Sequence, residues 1–288
     1  MDKVAAKSKF ANVLGSKMHY IEQGEGDPIL FVHGVPTSSY IWRYVFSLFK
    51  PKARLIAVDM IGFGDSGKPD IPYSAIDHLN YLTAFIESLA LKNVTLVLHA
   101  WGSLPGFAYA MSHEDNIKGL AFYESYVRPT LDWSMMSLPM QELVALVNRE
   151  KESGRSIDSN FFIEKLMPRA IINDFPPEEA ALYKKAFAQT DDKRPLLQYL
   201  EELPSGEEPE EIASLIKDYS QKLMRSQVPK LMIYGVPGYN TTISTVAWAK
   251  EHFPNISLVD VGPILHFAQE TNPEAFTNAL NDWYEHIS

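Results

Sequence analysis

Six short, almost wholly apolar runs, set apart by helical periods and by glycine-bearing turns, constrain this chain more than any other feature. Pro28-Ile29-Leu30-Phe31-Val32 ends at His33-Gly34, and Arg54-Leu55-Ile56-Ala57-Val58 ends at Asp59, ahead of Gly62, Gly64 and Gly67. Val94-Thr95-Leu96-Val97-Leu98 runs into His99-Ala100-Trp101-Gly102, and Gly119-Leu120-Ala121-Phe122-Tyr123 precedes Glu124. The pattern returns at residues 230–234 and 256–260, and Phe276, Leu280 and Trp283 mark a closing helix. Leu79, Leu82, Ile86 and Leu89 recur at helical spacing between the second and third runs. Strands apolar on both sides are covered on both faces, so the pattern predicts an α/β protein with a mostly parallel sheet. From 131 to 224 the chain is helical and strand-poor, which predicts a helical cap inserted into a core of residues 1–130 and 225–288. Ligands in such folds sit at the carboxyl ends of the strands.

Charge and residue content narrow the function classes. The chain has 36 acidic and 26 basic residues, a net charge of −10, which argues against duplex nucleic acid and anionic membranes as partners. Cysteine is absent, so disulfides, thiolate metal sites and cysteine nucleophiles are excluded. His19, His78, His113 and His252 show no metal-ligand spacing and are expected at the surface or on helices; no metal and no cofactor is implied. No stretch reaches the roughly 18 apolar residues a spanning helix needs, and residues 1–17 lack the apolar segment of a secretory signal. The expectation is a soluble, cytoplasmic protein.

Each strand ends in something chemically suggestive. The His33-Gly34 turn can aim backbone N–H groups at an anion. The strand-to-helix turn at Ala100 has the form of an elbow, with Gly102 allowing close packing. Glu124 follows the fourth run and His266 lies in a loop after the last. An elbow, an acid and a histidine in that order make up the layout of an α/β-hydrolase fold with a helical lid.

The segment from His33 to Arg43, the segment from Asp59 to Pro69, the elbow, and Leu265-His266-Phe267-Ala268-Gln269-Glu270 resemble the haloalkane dehalogenases. So do Asn160-Phe161-Phe162-Ile163-Glu164 and Arg194-Pro195 in the lid, and Renilla-type luciferase shares the framework. The resemblance spans nearly the whole chain. It implies a monomer whose elbow presents an aspartate that displaces halide from an alkyl carbon. A carboxylate-oriented histidine then activates the water that hydrolyses the resulting ester. By position His266 matches the base, Glu124 its acid, and Trp101 the indole that holds halide. The nucleophile position is Ala100, and the position of the second halide donor, usually Asn, is Val35. An alanine methyl cannot attack carbon, and Ser103 projects elsewhere, so dehalogenation by that route is expected to be absent.

Further departures fall at positions that line the pocket in that family. Val236, Tyr239 and Ile264 depart from its pattern, as do Leu104, Tyr123 and Tyr126, and these, with Met60 of the glycine-turn motif, are expected to line the pocket. Such clustering reads as an engineered dehalogenase scaffold with a repurposed pocket. The residues left over imply a His266–Glu124 dyad, with an oxyanion hole from the Val35 and Trp101 backbone N–H groups. With His266 as nucleophile or general base, these would act on a small, mainly apolar or aromatic activated carbonyl compound, an ester or an enone. A ligand-binding scaffold without turnover and a catalytically dead dehalogenase are the competing readings. His33 and His99, and likewise Asp59 and Asp65, are expected to be structural.

Overall fold

The sheet begins with a hairpin that the apolar runs do not announce. β1 (Lys7–Val13) and β2 (Ser16–Gly24) are joined by Leu14-Gly15, both at positive φ (47° and 77°). A two-residue turn of that handedness matches the twist of paired strands. β3 (Pro28–Val32), β4 (Arg54–Val58), β5 (Val94–His99), β6 (Ile117–Tyr123), β7 (Lys230–Tyr234) and β8 (Ile256–Asp260) are the six apolar runs. They lie in the order β1-β2-β4-β3-β5-β6-β7-β8, parallel from β4 to β8, with β2 antiparallel to both of its neighbours. The computed structural model describes residues 6–153, 161–173, 175–185, 187 and 193–288; residues 1–5 and Asn160 of the lid segment lie outside them.

Two groups of helices cover the sheet. α1 (Arg43–Leu48), α9 (Ala268–Thr271) and α10 (Pro273–Ile287) pack together, as do α2 (Ala75–Ser88), α3 (Ser103–Ser112) and α7 (Glu210–Leu223). Coverage from both sides is why Ile29, Leu30, Phe31 and Val32 are all fully buried, each side chain worth about 1.5–3 kcal/mol. α8 (Ile243–His252) lies against β8. The insertion between β6 and β7 holds α4 (Leu138–Glu152), a π-helical turn (Phe161–Leu166), α5 (Pro177–Lys185) and α6 (Arg194–Glu201). Its last helix, α7, leaves the lid and lies on α3, with Tyr219 and Phe107 rings 5.4 Å apart. Arg43 clasps the lid to the core: its guanidinium binds both Glu270 oxygens, at 2.7 and 2.8 Å, and Glu179 of α5 at 3.2 Å.

β3 is flanked by β4 on one side and β5 on the other, so consecutive crossovers leave it in opposite directions. That switch point opens a crevice at the strand ends, where the His33 and Ala100 turns stand side by side.

One histidine departs from expectation. His19 is buried, its Nδ1 2.7 Å from Asp59 Oδ2 and its Nε2 2.8 Å from Ser8 Oγ. Asp59 also accepts the N–H groups of Ser39 and Asp65, so it organises the glycine turn as expected. The donor atoms of His19, Asp59 and Asp65 lie within 4.8 Å of one another, yet these bonds already occupy both ring nitrogens and the Asp59 carboxylate, leaving no set free for a metal. Burial opposes charging His19, but the Asp59 bond and charge prevail and raise its pKa, while the same pairing lowers that of Asp59. A raised histidine pKa gives stability that is complete below about pH 6.5 and lost as pH rises through the folded-state value. The urea midpoint of the unmodified protein should therefore exceed that of His19→Gln by more at pH 6 than at pH 8.5, so the two midpoints follow pH with different slopes. Equal slopes would contradict the pairing. His78 lies on a helix, as expected, and is buried there on α2 with no partner for either nitrogen among the described residues. Burial pulls its pKa to about 3, and its ring edge packs 4.8 Å from Trp101.

Candidate active site

β5 runs into Ala100 at φ 49°, a left-handed backbone that costs an alanine about 1–2 kcal/mol, and the chain then enters α3. The elbow geometry is present although the side chain at its tip is a methyl. A Cβ on Gly102 would fall 2.2 Å from the His33 carbonyl oxygen, and one on Gly34 would fall 2.7 Å from the Ala100 methyl. The two turns are thus in direct backbone contact, and only glycine fits at either place. Ser103 offers no substitute nucleophile, since its hydroxyl donates to the Ala100 carbonyl (2.6 Å) and accepts the Tyr126 N–H (3.1 Å).

His33 and His99 are structural, as expected. His33 Nε2 accepts the Met60 N–H at 3.0 Å, which leaves Nδ1–H to donate to Gly34 O at 2.9 Å. His99 Nε2 donates to the carbonyl of His266 at 2.9 Å. Burial holds both below the ordinary histidine range, most strongly at His99.

Glu124, at φ 54° just after β6, is 1% exposed and accepts three backbone N–H groups, from Tyr239, Asn240 and Thr241. Its Oε2 is 2.9 Å from His266 Nδ1. With the Nδ1 proton directed at Glu124, Nε2 is left as the lone-pair nitrogen. The His266 backbone is tied at both ends: its N–H donates to Ala170 of the lid at 3.0 Å and its carbonyl receives His99. Tyr239 and Phe267 rings stand 5.4 and 4.8 Å from the imidazole.

The imidazole lies on the wall of a narrow, mainly apolar cavity between core and lid. Val35, Pro36, Tyr239 and Phe267 complete the core wall, and the lid supplies Met140 and Leu143 from α4 together with Phe162 and Leu166 from the π-helical turn. Met167, Ala170 and Tyr199 close it. No Lys, Arg, Asp or Glu is among these residues.

Several residues expected at this wall stand elsewhere. Ala100 and Trp101 are buried just beneath it, the methyl against Gly34 and the indole between His78 and Tyr199, with Nε1 unpartnered among the described residues. Leu104, Met60 and Ile264 are buried in the core, not on the cavity wall. The Tyr123 ring stacks on His99 and its hydroxyl donates to the Leu265 carbonyl, so it supports the His266 loop from behind. Val236 is 43% exposed, because the strand has already left the sheet at that point. Tyr126 lines a separate, polar cleft with Ser125, Thr130, Asn240 and Thr245. Tyr199, Met167 and Phe267 were not legible as wall residues. The only signal for Tyr199 was its place beside the buried Leu196 and Leu200 on an amphipathic lid helix.

A family model described as the alpha/beta hydrolase fold matches residues 27–152. The chain is 35% identical over 280 residues to a haloalkane dehalogenase of Sphingobium indicum, covering 95% of this chain and 94% of that protein. It is 34% identical over 290 residues to one from Bradyrhizobium diazoefficiens, covering 95% and 92%. Among solved structures, haloalkane dehalogenase DbeA from Bradyrhizobium elkani matches with a TM-score of 0.90 and 32% identity over 98% of this chain and 99% of that one. DatA, a haloalkane dehalogenase from Agrobacterium tumefaciens, matches at 0.89 and 30% identity over 99% and 98%.

Proposed function

Because the chain belongs to the haloalkane dehalogenase family yet carries Ala100 at its elbow, we propose that it does not dehalogenate by a covalent route. We propose instead that the Glu124–His266 dyad acts as a general base on small, mainly apolar carbonyl compounds, activated esters first and enones second. One observation carries the reading: a buried, triply bonded carboxylate orients His266, whose ring faces an apolar cavity. Among the described residues no hydrogen bond is made by the Nε2 of this base, which leaves its lone pair available to a ligand.

The chemistry follows from that placement. A water held by His266 Nε2 gives its proton to the imidazole as its oxygen bonds to the ester carbonyl carbon. The carbonyl π electrons move to oxygen, and the Val35 and Trp101 N–H groups receive the oxyanion. Collapse re-forms the carbonyl, breaks the bond to the leaving oxygen and passes the Nε2 proton to that oxygen. Glu124 stays ionised throughout and stabilises the transient imidazolium. The proposal is the same whether Ala100 arose by design or by descent.

General-base assistance contributes about 10²–10⁴-fold, so turnover of a chromogenic ester should be modest and should fall by that factor in His266→Ala. Unchanged turnover in the variant would overturn the dyad. The second reading, a binding scaffold without turnover, is favoured by Ser103 being fully engaged and Ala100 lying under the wall. It predicts that ligand affinity survives His266→Ala while neither protein turns over.

A further inference from the structure

Away from the cavity, a second set of side chains has the geometry of an activated nucleophile. Among the described residues two histidines are backed by a carboxylate, His266 by Glu124 and His19 by Asp59. Only at His19 does a hydroxyl stand at the other ring nitrogen: Ser8 Oγ lies 2.8 Å from Nε2, and Asp59 Oδ2 lies 2.7 Å from Nδ1. A serine, an imidazole and a buried carboxylate in that sequence of contacts form the arrangement that turns a hydroxyl into a nucleophile. We infer that Ser8 is a second reactive site, one that aromatic acyl and sulfonyl donors modify covalently.

The surroundings fix the direction of each bond. Asp59 is 2% exposed and also accepts the Ser39 and Asp65 N–H groups, which keep its carboxylate ionised and facing the ring. With Nδ1–H directed at Asp59, Nε2 is an acceptor and the Ser8 hydroxyl donates to it. The His19 backbone is held as well: its N–H donates to Ser66 Oγ at 2.9 Å, and its carbonyl accepts the Asp59 N–H at 2.9 Å. The base is thus buried and rigid, whereas Ser8 is exposed on the edge strand β1. Two residues on, and on the same face of β1, Phe10 stands directly opposite His19 with its ring 5.1 Å from the imidazole. Phe10 is 56% exposed, so it offers an aromatic group bound at Ser8 an apolar surface to cover. Ser112 marks the contrast. It meets His113 at 3.1 Å, but its hydroxyl lies 2.8 Å from the Ala108 carbonyl, and no carboxylate backs that ring among the described residues.

With a sulfonyl fluoride the step is a single displacement. Ser8 Oγ bonds to sulfur as its proton passes to His19 Nε2, the S–F bond breaks, and fluoride leaves with the bonding pair. The imidazolium then gives the proton to water. The test is phenylmethanesulfonyl fluoride added to the full chain, with the adduct followed by intact mass and located by peptide mass spectrometry. The reaction is run at pH 8.5, because the Asp59 and Asp65 charges raise the pKa of His19 and only its neutral ring takes up a proton. Ser8 should react at least about 10²-fold faster than Ser134, an exposed serine whose hydroxyl bonds Asp132 and no imidazole. Ser8→Ala should lose the adduct, and His19→Gln should slow it by about the same 10²-fold, with circular dichroism confirming that both fold. The comparison with Ser134 is made within the unmodified protein and needs no variant. Phe10→Ala should remove the preference for phenylmethanesulfonyl over methanesulfonyl fluoride. No adduct on Ser8, equal labelling of Ser8 and Ser134, or an undiminished rate in folded His19→Gln would overturn the site. A preference unchanged in Phe10→Ala would overturn the aromatic recognition.

Discussion

The double variant Ala100→Asp, Val35→Asn should release halide from a 1-haloalkane at a measurable rate, whereas the unmodified protein should release none. The elbow already holds residue 100 at φ 49°, a region that aspartate enters more readily than alanine. The new side chain therefore joins a backbone already bent for it. The remaining parts are in place: His266 is oriented by Glu124, and the Trp101 indole N–H is buried without a partner among the described residues. Removing a nucleophile from a catalytic set can cost on the order of 10⁶-fold, so even partial recovery should stand well above zero. Halide release is followed with an ion-selective electrode, and circular dichroism checks that the variant folds. A folded variant that releases no halide would contradict the placement of Ala100 at the nucleophile position.

Glu124 is where one side chain serves the fold and, in the proposed reaction, the chemistry as well. Glu124→Ala leaves the Tyr239, Asn240 and Thr241 N–H groups without their buried acceptor and frees the His266 ring to turn. Each stranded donor costs about 1–3 kcal/mol where water cannot reach it, so the loss should be about 3 kcal/mol or more. Glu124→Gln should cost less, but its amide turns an –NH₂ toward an N–H donor, and it cannot balance the imidazolium. Ester turnover in the Gln variant should drop about 10²-fold with the fold retained. Urea unfolding and a chromogenic ester assay on the two variants read both effects. An Ala variant as stable as the unmodified protein would contradict the role given to the carboxylate.

The sheet was legible because its strands are buried on both faces and write that burial as continuous apolar runs. β1 and β2 were not, since β1 is an edge strand with residues 7–10 all exposed, and its turn uses Leu14-Gly15 where Asn-Gly would have signalled it. His266, Glu124, Val35 and Tyr239 were readable because each follows a strand end, and strand ends converge at the switch point. Met60, Leu104, Tyr123, Val236 and Ile264 were misread because position along a motif does not say which face of a turn a side chain takes. The lid wall was largely unreadable: where Tyr199 and Met167 point depends on how α6 and the π-helical turn dock, and spacing within the lid does not encode that. His19 was misplaced for a related reason, as a lone histidine carries no mark of burial until its neighbours are known.

The proposal that His266 works here as a base without a nucleophile at residue 100 is tested most directly by one paired assay. The unmodified protein and His266→Ala are each given a 1-haloalkane and a chromogenic activated ester, with halide and chromophore followed in the same preparations. No halide from either protein, with ester turnover that falls about 10²–10⁴-fold in His266→Ala, is the predicted result. Halide release by the unmodified protein, lost on His266→Ala, would contradict it and require a nucleophile other than residue 100.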